Sequence, residues 1–230
     1  MCSNDEFLAR ECQIYIEHLL VPENYEVEVL VVKDAKSMTS GYNEAMRASD
    51  AKYKVYLHQD VLILNRGFIY DALNLFLKYP EIGMFGMVGN VSMAENGGMW
   101  MDGSWRRAGE LLMDIIYENV YSLFNKVEGN YVETIVLDGL LMATQYDLPW
   151  REDLFRGWDF YDASQSLEFW KAGYKVVVPY METPWCLHDN DVLNMSNYDT
   201  WRSIFVKEYE DYYREWERKH SGENKPKLKK

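Results

Sequence analysis

Residues 53–60, Tyr53-Lys54-Val55-Tyr56-Leu57-His58-Gln59-Asp60, decide the fold. The first five, YKVYL, are a short apolar and aromatic run and predict a strand. An imidazole, an amide and a carboxylate stand directly behind it. Moving outward, EVEVLVV at 26–32 is β-branched and nearly continuous and predicts a preceding strand, and IGMFGMV at 82–88 predicts a buried, Gly-punctuated one. Helices are predicted between them, at 40–49 (SGYNEAMRAS) and at 67–78, the latter stopped by Pro80. Residues 6–20 place Phe7, Leu8, Cys12, Ile16 and Leu19 on one helical side before Pro22 breaks the pattern. Strand alternating with helix implies an α/β fold, with a mostly parallel, Rossmann-like central sheet and helices on both faces. Ligands in such sheets sit beyond the carboxyl ends of the strands, so the chemistry is sought there.

Composition bounds the rest. The 230 residues are 48% hydrophobic and 15% aromatic, too apolar for a disordered chain. The formal net charge is −13, which argues against a nucleic-acid partner by repulsion of phosphate. Three Cys (Cys2, Cys12, Cys186) without a Cys-x-x-Cys pair argue against a disulfide framework or structural zinc and suit a reducing compartment. No stretch approaches the apolar length of a membrane helix, and no signal segment is evident.

Beyond residue 90 the pattern changes. Residues 90–109 are rich in Gly and Trp and lack periodicity. Strands are predicted at 131–137 and 174–179, with a helix at 162–172 between them. Residues 199–219 carry Trp201, Phe205, Tyr209, Tyr212 and Trp216 at three- to four-residue spacing, an amphipathic C-terminal helix. Such a stripe packs on the core, or serves as a dimer face or membrane-surface contact. The expected organisation is a domain over 1–198, this helix over 199–220, and a disordered basic tail over 221–230.

Each candidate site residue has two readings. His58 and Asp60 are turn residues or a metal- and nucleotide-binding pair at a strand end. Asp34, after EVEVLVV, is a helix cap or turn residue, or a ligand contact. Asp159 and Asp162 in GWDFYD either cap the following helix or supply a carboxylate base within reach of a substrate hydroxyl. His188 in WCLHD is a structural histidine or a ligand. Trp100, Trp105, Arg106 and Arg107 form a lid over the core, or offer stacking surfaces and guanidiniums for a diphosphate. Trp158 beside Asp159 is a further candidate for donor contact.

With these blocks in order (SxxxxYNEAM, YLHQDV and FWKAGYKVVVP) the chain resembles family 2 glycosyltransferases of the GT-A fold, in their bacterial glycosyltransferase-like branch, over about residues 1–190. In such relatives a further apolar strand precedes the segment that begins here near Cys2, which implies that the sequence given starts late. The resemblance places the nucleotide-contacting acidic residue at Asp34 and the Asn of the following helix at Asn43. It places the metal-binding Asp-x-Asp on His58-Gln59-Asp60, with His58 in place of the first Asp. The catalytic carboxylate falls at Asp162, 11 residues before Gly173, and a metal-binding histidine at His188. It implies a nucleotide diphosphate sugar donor (a UDP-sugar), Mn²⁺ or Mg²⁺ held by Asp60 and His188, and inversion at the anomeric carbon. It also implies a glycan or glycolipid acceptor in a polysaccharide pathway, on the cytoplasmic side and peripheral to the membrane's inner face. Asp159 is the reserve base. Two alternatives stand beside this one. A nucleotidyltransferase would carry a basic Gly-rich loop after its first strand, and none is evident. A non-catalytic nucleotide-sugar or glycan-binding module is the reading favoured by His58 in a degenerate metal motif.

Overall fold

The structure, a computed structural model, describes residues 1–99, 106–115, 118–189 and 195–220. Trp100, Trp105 and the basic tail lie outside these residues. In chain order the elements are β1 (Cys2–Ser3), α1 (Glu6–Glu17), β2 (Val32–Lys33), α2 (Met38–Ala48), β3 (Lys54–Leu57), β4 (Val61–Ile63), α3 (Phe68–Lys78), β5 (Ile82–Gly86), β6 (Val88–Asn90), β7 (Arg107–Ile115), β8 (Glu118–Leu123), β9 (Tyr131–Glu133), β10 (Val136–Leu137), β11 (Leu141–Thr144), α4 (Tyr161–Lys171), β12 (Lys175–Pro179), β13 (Cys186–Asp189) and α5 (Tyr198–His220).

The main sheet has the order β3-β11-β5-β12-β9, and a second runs β10-β6-β7-β13-β4 with β8 added on β7. The α/β class holds, but the strand directions are mixed. β12 runs parallel to β5 and β13 parallel to β7, whereas β11 is antiparallel to both β3 and β5. The short strands β4, β11 and β13 account for much of this. Each is three or four residues long, too short to show periodicity in the sequence.

Two expected strands change form. IGMFGMV splits at Met87 into β5 and β6, which belong to different sheets, and residues 131–137 likewise divide into β9 and β10. Residues 26–31 are not in a ladder: only Val32–Lys33 pairs, with Cys2–Ser3. A β-branched run forms strand only against a partner. Here Val27 and Val29 remain exposed.

Local chemistry sets the helix starts. Asp5 caps α1 by accepting from the Phe7 and Leu8 amides, and Ser37 caps α2 in a reciprocal box with Ser40. Asp34 is therefore not a cap. The main core packs Tyr42, Trp150 and Phe85 around β5, β11 and β12. A second cluster seats α5, with Phe205, Tyr209, Tyr213 and Trp216 buried against Phe155, Phe160 and Leu167. The aromatic stripe of α5 is thus packing surface, with Tyr213 rather than Tyr212 turned fully inward. Burial of each such ring stabilises by roughly 1.5–3 kcal/mol, enough to hold a helix whose polar face is strongly charged. No helix among the described residues is long and apolar enough to cross a membrane.

Candidate active site

Three chain segments converge at one edge of the fold. The first is the turn between β3 and β4. The His58 amide donates to the Leu140 carbonyl at 3.0 Å, which ties the end of β3 to the turn before β11. Gln59 faces away and accepts from the Asn4 and Asp5 amides, so His58 and Asp60 face the other side together. The second segment is β13. It pairs antiparallel with β4, setting His188 opposite Val61, and the Asp189 amide donates to the Asp60 carbonyl at 2.9 Å. This register brings two residues 128 positions apart side by side.

The result is a compact group. Ligand atoms of His58, Asp60 and His188 all lie within 4.8 Å of one another. Asp60 Oδ1 is 3.5 Å from His188 Nε2 and 3.9 Å from His58 Nδ1, too long for good hydrogen bonds. That oxygen is buried and has no hydrogen-bond partner. A buried carboxylate oxygen facing two imidazole nitrogens without bonding either is what a metal-ligand set presents in the absence of a cation, and a divalent ion fits this donor set. Burial alone would raise the Asp60 carboxyl, but the His188 and His58 imidazoles outweigh it and hold the group below its usual range. His58 is pushed down by burial and then by His188. Burial would also lower His188, but Asp60 outweighs it and the net direction is up.

The third segment is the start of α4. Phe160 precedes it in the left-handed region (φ +61°) and offers no side-chain cap. Asp162 accepts from its own Ala163 amide at 2.7 Å and from the Gly139 amide at 2.9 Å. The carboxylate thus satisfies a first-turn amide, as the capping reading expects, and also bonds the Gly139 turn, whose next residue, Leu140, accepts from the His58 amide. Burial, then the nearby charge of Asp138, pushes its carboxyl up to about 7. Tyr161 sends its hydroxyl to His58 Nε2 in a short hydrogen bond.

The other expected residues are placed as follows. Asp34 is exposed at φ +56°, a conformation uncommon outside Gly and Asn or Asp. Asn43 is buried, and its side-chain amide exchanges two hydrogen bonds with the Trp150 backbone. It acts as a tie between α2 and the segment before α4. Arg106 donates to the Ser92 hydroxyl and the Met93 carbonyl, holding the segment after β6. Asp159 is half-buried, and that burial raises its carboxyl. Trp158 is exposed, while its neighbours Gly157 and Phe160 are buried and Gly157 lies against the Trp201 indole. The structure thus brings His58, Asp60, His188 and Asp162 into one region. The open grooves along α5 (about 910 Å³) and beside Trp185 (about 690 Å³) include none of the four.

Asp138 was not singled out in the sequence. Its charge acts on His58, His188, Asp162 and Arg107, so it sits amid the site, with Oδ1 accepting from the Leu140 amide at 3.0 Å. The signal was present, because Asp138-Gly139 directly follows Val136–Leu137, a polar pair at a strand end.

Among solved structures the chain is similar to a mannosyltransferase, PcManGT from Pyrobaculum calidifontis, in complex with GDP-Man and Mn²⁺. The TM-score is 0.54 at 14% identity, and the match covers 91% of this chain. This chain spans 63% of the length of that protein, and at this identity the likeness establishes the GT-A fold alone. No curated protein matches the sequence. The model of the glycosyltransferase-like family matches residues 1–209, nearly the whole folded chain, and the protein belongs to that family.

Proposed function

We propose that this protein transfers a sugar from a nucleoside diphosphate sugar to a hydroxyl acceptor, with inversion, and that Asp162 is the base. The observation that carries the reading is the placement of a buried carboxyl, raised to about 7, across one glycine turn from a His–Asp–His group. His58, Asp60 and His188 would hold a divalent cation, whose charge offsets that developing on the departing diphosphate. Asp162 takes the proton of the acceptor hydroxyl as its oxygen bonds to the anomeric carbon. The bond from that carbon to the diphosphate breaks, and its electron pair leaves with the diphosphate. A positioned base contributes roughly 10²–10⁴-fold in rate. The Ala163 and Gly139 amides fix the carboxylate; a single displacement by the acceptor oxygen, with no covalent intermediate, proceeds with inversion. A UDP-sugar is the donor that the sequence resemblance favours. GDP-Man, present in the structurally similar mannosyltransferase, is the comparison arm. A glycan or glycolipid acceptor belongs to the same reading.

The test is a panel of UDP- and GDP-sugars incubated with the protein and Mn²⁺, with free nucleoside diphosphate measured over time. Slow donor hydrolysis, abolished in Asp162→Asn, is expected. Donor binding without any turnover on water or on hydroxyl acceptors would instead support a non-catalytic sugar-nucleotide-binding module.

A further inference from the structure

We propose that Asp138 is a specificity-determining residue that lies against the sugar being transferred, accepts hydrogen bonds from its hydroxyls, and selects neutral donor sugars over uronic acids. The inference rests on the transferase reading and adds to it the chemical class of the donor sugar.

The position of Asp138 carries the first part. During transfer the anomeric carbon lies between the diphosphate, on the side of His58, Asp60 and His188, and the acceptor oxygen, on the side of Asp162. Asp138 stands on the turn that joins these two sides. One residue on, the Gly139 amide donates to Asp162 at 2.9 Å, and two residues on, the Leu140 carbonyl accepts from the His58 amide at 3.0 Å. Asp138 is close enough for its charge to act on His58, His188 and Asp162 alike. Its own amide donates to the Val88 carbonyl at 2.9 Å, and its Oδ1 accepts from the Leu140 amide at 3.0 Å, so backbone and carboxylate are both held. Oδ2 makes no hydrogen bond or ion pair among the described residues, and the residue is half-buried. A fixed carboxylate oxygen with free lone pairs, beside the path of a polyhydroxylated ring, is an acceptor for hydroxyl donors, and such charge-assisted hydrogen bonds are strong ones.

Charge carries the second part. Asp162 must be ionised to take a proton, so the sugar lies between two carboxylates of the protein. A hexose ring is smaller than the Debye length of about 8 Å at physiological salt, so a C6 carboxylate lies within range of Asp138 whichever edge of the ring faces it. The Arg107 guanidinium lies over the Phe124 ring at 5.2 Å and within reach of the Asp138 charge. Its charge is therefore shared with a carboxylate of the protein, and a sugar carboxylate would have to compete for it. A CH₂OH group at C6 meets no such repulsion and can itself donate.

The experiment is calorimetric titration of the full chain with Mn²⁺ and three matched pairs of donors: UDP-glucose and UDP-glucuronate, UDP-galactose and UDP-galacturonate, GDP-mannose and GDP-mannuronate. The members of a pair share nucleotide and ring stereochemistry and differ only in the charge at C6. In each pair that binds, the neutral sugar should bind at least about tenfold more tightly. Asp138→Asn keeps the shape and the acceptor for the Leu140 amide but removes the charge, and its amide can donate to a carboxylate. The ratio should fall to within about threefold in this variant, while UDP alone binds no more weakly than to the wild type. If Asp138→Asn does not fold, Asp138→Ser, whose hydroxyl can still accept from an amide two residues on, replaces it. Equal affinities within the pairs for the wild type, or a ratio unchanged in a folded variant, overturn the selectivity and leave the transferase reading standing. Weakened UDP binding in the variant shows a role in the fold of the site and overturns the sugar contact. No binding of any of the six donors removes the transferase reading, and this inference with it.

Discussion

Tyr161 crosses directly over Gly139 on its way to His58, so that a β-carbon at position 139 would overlap the tyrosine hydroxyl. The glycine is needed for this close approach, since its backbone is not in the left-handed region. The same residue gives its amide to Asp162. One turn therefore aligns the imidazole group and the carboxylate. Gly139→Ala must displace the tyrosine or the turn, and overpacking of this kind costs about 1–3 kcal/mol. We expect a lower melting temperature together with loss of both Mn²⁺ affinity and turnover. Wild-type Mn²⁺ affinity in a folded Gly139→Ala protein would show that the Tyr161–His58 bond does not depend on this crossing.

Asp162→Asn keeps the shape of the side chain and one of its two amide contacts, but cannot accept a proton. Turnover should fall by at least ~10²-fold while donor affinity stays within a factor of a few. Steady-state rates and calorimetric donor binding, measured on one preparation, separate the two. Near-normal turnover would pass the role of base to Asp159, the next carboxylate on the same turn.

The pH dependence follows from the raised carboxyl of Asp162, moved from 3.8 to about 7 by burial and by Asp138. Only the ionised form takes a proton, so kcat should rise with pH and level off above about 7. Asp138→Asn removes the like charge and should move this limb to lower pH. Stability runs the other way. A carboxyl with a folded pKa above its unfolded value contributes stability that is complete below about 4 and lost as pH rises through about 7. The wild-type melting temperature should therefore drop more between pH 5.5 and pH 8 than that of Asp162→Asn. Parallel curves for the two proteins would show that the carboxyl titrates at an ordinary value.

Much of this site could be read before any coordinates because its residues stand where an α/β sheet puts chemistry, immediately after a strand. His58 and Asp60 follow YKVYL, and His188 lies in a short apolar run that sequence alone did not show to be a strand. What stayed hidden depends on pairing over distance. The contact of His188 with Asp60 is set by the register of β13 on β4, two strands too short to carry a pattern. The hold of Tyr161 on His58 spans 103 residues and has no local signature. Asp138 carries no such mark, because residues 131–137 read as one continuous strand in the sequence, whereas the chain breaks at Thr134–Ile135 to change sheets. The extended run at 26–31 shows the converse: a strong local preference for strand that tertiary pairing leaves unfulfilled.

The last prediction concerns α5, whose aromatic stripe allowed packing, a dimer face or a membrane contact. Trp216 is 1% exposed and donates its indole N–H to the Val91 carbonyl at 3.1 Å, while Met93 on the same segment donates its amide to Glu217 at 2.8 Å. Further along the helix, Tyr209 donates to Glu168 on α4, and Arg151, from the segment before α4, bonds to both Glu168 and Glu208 of α5. α5 is thus bonded at one end to the segment following β6 and further along to α4, which carries Asp162. Trp216→Ala removes a large buried ring and a hydrogen bond, a loss of about 3–5 kcal/mol. The melting temperature should fall by roughly 10 °C or more, as such a loss implies for a domain of this size. Hydrogen exchange should rise in residues 91–93 and in α4 as well as in α5. Exchange that rises in α5 alone would show that the helix is an appendage whose packing does not support the site.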